Sequence, residues 1–304
     1  MGRFMKQRNA IFDWIVYVLV RTAAMIFHMF GVNANLATAR GMGWCWYHLM
    51  PRHRIRARDH LRIAFGAALP EKQVDRLVLG SMQQMAMMAM ELLFTPRLIN
   101  PWTWPRYVWP GDLRAALDVL LDRRGAILLT GHYGNWELTG YLLATWGFDV
   151  VAVMRPLDNP YLNRYIMAMR EKRGLRLLFK KGAIQSADEV LEGGGILAFI
   201  ADQNAGRKGL FVDFFGRPAS TYKSIGLLAM RHRVPIVVGG ARRRSLRFEY
   251  DIIAPRVILP EEWEQQADPL RYITQEYTRA FEAIVREAPE QYLWIHRRWK
   301  SQPR

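Results

Sequence analysis

The chain has 304 residues, and 51% of them are hydrophobic, so it is long enough to bury one large core. Lys and Arg total 43 against 27 Asp and Glu, which gives a formal net charge of +16 and favours a polyanionic partner. The single cysteine, Cys45, excludes an internal disulfide. No Cys/His cluster has the spacing of a metal site, so a reducing compartment is expected, with neither metal nor cofactor.

Three kinds of polyanion suit this charge: nucleic acid, anionic lipid and an acidic carrier protein. No nucleic-acid-binding motif accompanies the basic residues. The chain instead carries 11 Trp and 12 Tyr among apolar runs, and such amphipathic rings are typical of proteins at a membrane interface. The composition therefore predicts a membrane surface as a partner and argues against nucleic acid.

The first long apolar stretch covers residues 11–31 (IFDWIVYVLVRTAAMIFHMFG) and is just long enough to cross a ~30 Å hydrocarbon core as a helix. Asp13 and Arg21 interrupt it, and a charge near the centre of a span costs roughly 2.5–3.5 kcal/mol. A helix that lies in the interface is therefore at least as well supported as a span. In either case, residues 1–31 are predicted to be a membrane-associated segment.

The rest of the chain, residues 32–304, is expected to form one domain whose helical part covers 32–110. Pro70 and Glu71 begin a long run of helix-favouring residues there. The Met-rich face of that run, residues 82–90, is interpreted as core rather than as a contact for an apolar ligand, because Met at helical spacing usually fills a core.

From residue 111 to 304, short apolar runs alternate with amphipathic segments, which is typical of a sheet covered by helices. The predicted strands cover 126–130, 150–154, 195–201, 234–240 and 247–253. The predicted helices cover 111–123, 137–146, 159–173, 183–192 and 221–231, followed by a last helix over DPLRYITQEYTRAFEAIVREA. The predicted fold class is α/β, with a mostly parallel central sheet flanked by helices, an N-terminal apolar membrane-associated helix and a helical N-terminal region.

A candidate catalytic pair follows the first of these strands. His132 comes directly after the strand end, where active sites of open α/β sheets lie, and Glu137 falls in the first turn of the next helix. On one continuous helix the two would point about 140° apart, but with His132 in the turn they can meet. A His beside a carboxylate suits acyl transfer, since the imidazole accepts a hydroxyl proton while the carboxylate orients it. The alternative is a helix cap at His132 and a surface ion pair at Glu137.

Four sequence blocks resemble the bacterial lysophospholipid acyltransferase superfamily, and within it the late (lauroyl/myristoyl-type) acyltransferases of lipid A biosynthesis. The blocks are GHYGNWE (131–137), VMRPLDNPYLN (153–163), ADQNAGRKGLFVDFFGRPAST (201–221) and QYLWIHRRWK (291–300). The His-x-x-x-x-Glu box is moderately specific by itself, whereas four blocks in family order behind an apolar N-terminal segment are strongly specific.

The resemblance implies an O-acyltransferase at the cytoplasmic face of the inner membrane. It would take a fatty acyl chain from acyl carrier protein and place it on a hydroxyl of an anionic lipid, a lipid A precursor. His132 and Glu137 match the family's catalytic dyad. Arg155 matches a position expected to hold the lipid phosphate or the developing oxyanion, and its alternative role is to bond a strand end.

Four further residues are candidate substrate-binding residues. Asp202 and Gln203 follow another strand end and are expected to order the site, or else to cap the strand in a turn. Arg207 and Arg217 flank the Phe-rich segment FVDFFG and suit contact with lipid headgroups. The alternative is that they lie on an exposed face and contact only water.

Three supporting roles are predicted as well. Backbone amides around Tyr133 and Gly134 are candidate donors to an oxyanion. The tail, including Trp294 and Trp299, is predicted to be an interfacial anchor. The basic stretch from Arg170 to Lys181 is the candidate docking surface for an acidic carrier protein, and a merely solvated face is its alternative.

Several functions stay open at this point. The acceptor is alternatively another glycolipid, such as a phosphatidylinositol mannoside, or an aminolipid, and the donor is alternatively acyl-CoA. A non-catalytic lipid-binding protein is disfavoured by the intact His132/Glu137 box. A lipase-like hydrolase is disfavoured because the chain has no Gly-x-Ser-x-Gly elbow.

Overall fold

The computed structural model describes residues 9–179 and 183–303. The helices within them are α1 (Ala10–His28), α2 (Val32–Leu49), α3 (Pro51–Phe65), α4 (Glu71–Leu98), α5 (Arg114–Leu121), α6 (Trp136–Thr145), α7 (Pro160–Glu171), α8 (Ala183–Glu192), α9 (Lys223–His232), α10 (Pro260–Glu264) and α11 (Pro269–Glu287). The strands are β1 (Val108–Pro110), β2 (Ala126–Thr130), β3 (Val150–Met154), β4 (Arg176–Phe179), β5 (Ile196–Ile200), β6 (Leu210–Phe214), β7 (Arg217–Thr221), β8 (Ile236–Arg243) and β9 (Tyr250–Ile258).

The central sheet has seven strands in the order β1-β9-β8-β2-β5-β3-β4, and only the β8–β9 pairing is antiparallel. Every residue of β2 is buried, because helices cover both faces of the sheet. Ile127 and Leu129 face one core cluster, and Leu128 faces another on the opposite side. The predicted fold class, α/β with a mostly parallel sheet flanked by helices, is confirmed.

The predicted strands at 126–130 and 150–154 are confirmed with their boundaries, and the central strand predicted at 195–201 forms β5. The last two strands lie further along the chain than predicted, at β8 and β9. Strand β4 was not predicted, since it is an edge strand whose partly exposed side chains give no continuous apolar run. The β6–β7 hairpin was also missed, and it lies outside the central sheet.

Helix α1 packs along the catalytic part of the chain through one side. The backbone carbonyl of Asp13 accepts a hydrogen bond from Asn159 Nδ2 at 2.8 Å. Tyr17 contacts the ring of Tyr165, with 6.3 Å between centroids, and the Arg21 guanidinium lies 4.6 Å above the same ring. The two charged residues that weakened a membrane span in the sequence therefore face the protein, since they lie on the packed side of the helix.

The other side of α1 is apolar and exposed. Phe12, Ile15, Leu19 and Ile26 are 44–63% exposed. Of the described helices, α1 and α4 are long and apolar enough to cross a membrane, but the apolar window of α4 is 50% buried against 11% for α1. Helix α1 is therefore the element suited to membrane association, and its one-sided packing matches a helix that lies in the interface.

The Met-rich run of α4 is core, as predicted. Met82, Met87, Met88 and Met90 are all at most 7% exposed. The predicted interfacial anchor in the tail is wrong. Trp294 and Trp299 are 0% and 6% exposed, because the chain turns inward after α11 and packs them into the main core cluster. The composition indicated a membrane interface because Trp is common there, but Trp is equally suited to a protein core.

Candidate active site

The register of the parallel sheet brings His132 and Asp202 together. Strands β2 and β5 are neighbours, and Thr130 lies opposite Ile200 at their carboxyl ends. Two residues later, His132 Nδ1 lies 2.8 Å from Asp202 Oδ1, and the His132 backbone N–H donates to Asp202 Oδ2 at 3.0 Å. The aspartate therefore holds both the ring and the backbone of the histidine.

Asp202 is buried and His132 is largely buried, with side chains 1% and 13% exposed. Burial alone would raise the pKa of Asp202, but the charge and hydrogen bond of His132 lower it to about 2. Burial lowers the pKa of His132, yet Asp202, with a smaller contribution from Glu137, raises it above the ordinary 6.5. The imidazole is therefore a strengthened base whose Nδ1 is held by a carboxylate, which leaves Nε2 for a substrate proton.

Glu137 does not occupy the expected position beside the ring nitrogen. Its carboxylate accepts two hydrogen bonds from the guanidinium of Arg170 on α7, at 2.7 Å from Nε and 2.5 Å from Nη2. The hydrogen-bonding partner of His132 is Asp202 instead. Glu137 still acts on His132 through its charge, because it contributes to the raised pKa of the imidazole.

The turn that carries His132 depends on two glycines. A Cβ at Gly131 would lie 2.0 Å from the ring of Phe281. Gly134 has a φ of +56°, and a Cβ there would lie 2.0 Å from the carbonyl oxygen of Ala241. Side chains at these positions would collide with α11 and β8, so the turn requires glycine at both.

A buried polar network supports the same turn from behind. Glu91 of α4 lies 2.7 Å from Arg243 of β8 and accepts a hydrogen bond from Asn135 Nδ2 at 2.9 Å. Arg243 also donates to Gln84 Oε1 at 2.7 Å, and Gln84 donates to the Gly134 carbonyl at 3.1 Å. Two separate parts of the chain, α4 and β8, are therefore tied to the loop between His132 and Glu137, and sequence reasoning found none of these supporting residues.

The backbone amides predicted as oxyanion donors already have acceptors. The Tyr133 N–H donates to Gly131 O at 2.7 Å, and the Gly134 N–H donates to Gln291 O at 3.1 Å. Both groups serve to hold the turn, so this prediction is wrong in the structure. An amide that is hydrogen-bonded within the protein is not available to a substrate oxygen.

His296 of the tail stacks on the candidate base. Its ring centroid lies 5.5 Å from that of His132, with an interplanar angle of 30°. Burial, together with the neighbouring His132 and Arg298 charges, lowers the pKa of His296 despite the opposing effect of Asp202. A neutral imidazole is therefore placed at the site. The sequence indicated it only as part of the terminal block QYLWIHRRWK.

The other predicted substrate-binding residues lie further out. Arg155 is exposed and pairs with Asp158 at 3.0 Å. Together with Gln203 it lines an open cavity beyond the ends of β3 and β5, of about 820 Å³ with its mouth included. Arg207 and Arg217 are exposed on the approach to β6 and on β7. Among the described residues, neither arginine makes a hydrogen bond or ion pair with the buried pair or with Glu137.

An apolar cavity opens beside Glu137 and Arg170, with a volume of about 570 Å³ when its open mouth is included. Leu128, Leu175 and Phe199 contribute to its wall, which lies between the sheet and α6. A paired base at the carboxyl edge of a parallel sheet, next to an apolar cavity, defines an acid–base site for a substrate with an apolar portion.

The comparisons with known proteins agree with that class. Residues 1–301 match the family described as bacterial lipid A biosynthesis acyltransferase, and the chain belongs to this family. It is 24% identical over 272 residues to the lipid A biosynthesis lauroyltransferase of Escherichia coli (strain K12), covering 86% of this chain and 84% of the relative. It is 23% identical over 266 residues to the lipid A biosynthesis palmitoleoyltransferase of the same organism, covering 84% and 81%.

A shorter match, 30% identical over 98 residues and 31% of each chain, is to the phosphatidylinositol mannoside acyltransferase of Mycobacterium tuberculosis (strain CDC 1551 / Oshkosh). The family resemblance predicted from the four sequence blocks is confirmed, and the protein is an O-acyltransferase.

We expect Asp202→Asn to lower the pKa of His132, because the substitution removes the negative charge that raises it. The titration of the imidazole ring carbons, followed by NMR on histidine-labelled protein, measures this directly. Asp112→Asn removes an exposed carboxylate remote from the site and should leave the His132 titration in place. An unchanged His132 pKa in Asp202→Asn would disprove the pairing.

We expect Glu91→Gln to destabilise the fold by roughly 3–5 kcal/mol, because it leaves the buried Arg243 charge without its partner. Denaturant unfolding in detergent measures the change. The matched control is Glu264→Gln, which breaks an exposed pair with Arg233 and should leave the unfolding midpoint where it is. Equal midpoints for both variants would show that the buried network contributes no stability.

Proposed function

We propose that the protein transfers a fatty acyl chain from an acyl-carrier-protein thioester to a hydroxyl of a lipid A precursor, at the cytoplasmic face of the inner membrane. The observation that carries the proposal is the buried His132–Asp202 pair at the end of β2, in a chain that belongs to the lipid A acyltransferase family. No side-chain nucleophile is required, since the acceptor hydroxyl itself attacks the thioester.

In the proposed reaction, His132 Nε2 accepts the proton of the lipid hydroxyl as its oxygen attacks the thioester carbonyl carbon. Asp202 keeps Nδ1 protonated and stabilises the imidazolium that forms. Collapse of the tetrahedral intermediate breaks the carbon–sulfur bond and forms the ester. The imidazolium then returns its proton to the departing thiolate, so the carrier leaves as a free thiol and the base is restored.

Glu137 keeps a place in the proposed chemistry, though not as the direct partner of the base. Its carboxylate adds to the field that favours the imidazolium. The bidentate bond from Arg170 holds it in position at the mouth of the apolar cavity. His296, neutral and stacked on His132, is the candidate donor to the developing oxyanion in place of the backbone amides.

The apolar cavity beside Glu137 is the proposed site of the acyl chain. Its walls come from the sheet residues Leu128, Ala152 and Phe199 and from Leu175, and its polar end carries the Glu137–Arg170 pair. A chain bound there would lie with its reactive carbonyl close to the edge of the sheet on which His132 is located. The acyl chain would then lie in the apolar cavity and the thioester carbonyl outside it, near His132.

The acceptor headgroup is proposed to approach over the second, more polar cavity. Arg155 and Gln203 line it, and the exposed Arg207 and Arg217 lie on the adjoining chain segment. Asp202, predicted as a substrate-binding residue, is instead assigned to orient the base. The exposed apolar side of α1 would hold the enzyme at the membrane surface.

We expect His132→Ala to lower kcat by roughly 10²–10⁴ in acyl-transfer assays, because it removes the general base. Glu137→Gln should cost less, since Glu137 acts only through its charge. The neutral imidazole is the active form, so the parental rate should rise with pH through the His132 pKa, and Asp202→Asn should move this rise to lower pH.

Asp112→Asn, which alters only an exposed surface pair, serves as the control and should match the parental rate and pH profile. Parental activity in a folded His132→Ala protein would overturn the assignment of the base. Mass spectrometry of the acylated product identifies the acceptor. If the acylated product is a phosphatidylinositol mannoside, the assignment of the reaction stands and the lipid A acceptor is wrong.

We expect the donor preference to depend on salt. An acidic carrier protein should be steered by the +16 charge, so its kcat/KM should fall steeply as the Debye length shrinks from ~10 Å at 0.1 M to ~3 Å at 1 M. Acyl-CoA should be the poorer donor at low salt and show a shallower dependence. If acyl-CoA is the better donor at low salt, the carrier-protein assignment is wrong.

A further inference from the structure

A third cavity lies between α1, α4 and α7, on the side of α7 away from the apolar cavity. It is wide and open, at about 1310 Å³ with its mouth included. Four basic side chains line it, namely Arg21 of α1, Arg97 of α4, and Lys172 and Arg173, which directly follow α7. Neither Asp nor Glu is among its lining residues, and in the described ranges no carboxylate pairs with any of the four.

This concentration of charge is built by the fold rather than by a basic run of sequence, because Arg21 and Arg97 lie on helices far apart in the chain from Lys172 and Arg173. Four like charges around one concave surface repel one another unless an anion neutralises them. The carboxylates of this protein neutralise many other arginines, including Arg170 and Arg176 close by on the same segment. The cavity is therefore a concentration of positive charge that attracts an anion from outside the chain.

Aromatic rings hold the guanidinium groups of Arg21 and Arg97 in place. Arg21 lies 4.6 Å above Tyr165, and Arg97 lies 5.2 Å from the Phe94 ring centroid. Stacking fixes a guanidinium plane and leaves its N–H edge free for hydrogen bonds, the arrangement suited to phosphate. Arg173 is partly buried, and its charge and hydrogen bond counteract the rise that burial causes in the pKa of Tyr141.

The surroundings favour a lipid over a soluble anion. One wall of the cavity is α1, where the 58% exposed Met25 lines the cavity one turn from Arg21 and the 50% exposed Ile26 follows on the apolar side of the helix. A phosphate in the cavity would therefore lie next to a surface that suits acyl chains. Helix α7 also carries Arg170, so the same helix would contact the bound phosphate and position Glu137.

We propose that this basic cavity binds a phosphate group of the lipid acceptor and so anchors the acceptor relative to His132. The proposal rests on the proposed function, because it assigns the acceptor of that reaction a phosphate contact in addition to the polar cavity lined by Arg155 and Gln203. It also revises the predicted docking of a carrier protein on the basic stretch from Arg170 to Lys181. Arg170 and Arg176 are engaged in ion pairs, Lys172 and Arg173 line the cavity, and Lys180 and Lys181 lie outside the described residues.

The first test is binding, measured with the full chain carrying His132→Ala so that no turnover occurs. The probe is phosphatidylcholine vesicles containing phosphatidic acid, whose headgroup is a phosphomonoester. Adding Arg97→Gln and Lys172→Gln should weaken binding at least about tenfold, a change that corresponds to ~1.4 kcal/mol. The matched control is Arg114→Gln with Arg124→Gln, which removes the same charge from exposed surface pairs and should bind as the parent does.

Two further arms identify the ligand. Vesicles of equal charge made with phosphatidylserine should lose less affinity in the cavity variant than phosphatidic acid vesicles do. Equal losses would mean that only surface charge was removed, and the proposal would fail. Inorganic phosphate at the same phosphate concentration should compete poorly with the vesicles. Equal competition would identify a free-phosphate site and would also overturn the lipid assignment.

The second test is kinetic and uses the same cavity variant with an active His132. The KM for a phosphorylated lipid acceptor should rise at least about tenfold with kcat nearly unchanged, while the KM for acyl carrier protein stays at its parental value. A rise confined to the carrier protein would make the cavity a donor-docking site and refute the proposal.

The two tests also separate this proposal from the proposed function. If the parent shows no acyl transfer but phosphatidic acid binding still depends on Arg97 and Lys172, the function fails and the cavity stands. If transfer proceeds and neither binding nor KM changes in the cavity variant, the function stands and the cavity assignment fails.

Discussion

Two titratable side chains, His132 and Asp202, lie buried against each other where parallel strands β2 and β5 end. Burying a carboxylate is costly unless charge and hydrogen bonds compensate it, and here the imidazole and the His132 amide do so. The compensation exists only if the two strands keep their register, since a shift of one residue would turn one of the side chains away. The raised pKa of His132 therefore depends on the register of β2 and β5.

The rest of the core holds the turn in which His132 is located. The Glu91–Arg243 pair ties α4 and β8 to Asn135, and the buried Arg298 of the tail donates to the Ser220 carbonyl at 2.6 Å. Buried ionic groups contribute little net stability compared with an apolar core, but they strongly penalise alternative arrangements that leave a charge unpaired. We infer that these charges specify one geometry for the turn, which a base with a fixed hydrogen-bond partner needs.

Helix α1 links the membrane-facing surface to the site. Asp13 and Arg21 lie on its packed side, against α7, and its apolar side is exposed. The charges that would be costly inside a bilayer therefore lie on the side of α1 that packs on protein, with Asp13 buried and Arg21 stacked on Tyr165. Because α7 also positions Glu137 through Arg170, the surface that meets lipid and the residues around His132 share one helix.

By itself, the sequence determined the α/β class, the central strands and the family, because apolar periodicity and the four blocks are local signals. It also placed His132 at the end of a strand. Only the tertiary structure decided that its partner is Asp202 rather than Glu137, since the two residues are 70 positions apart and meet through strand register. The same reason explains the missed network around Glu91 and the misread tail. Pairing and burial of charged and aromatic groups depend on which distant segments they contact, and no local pattern reports those contacts.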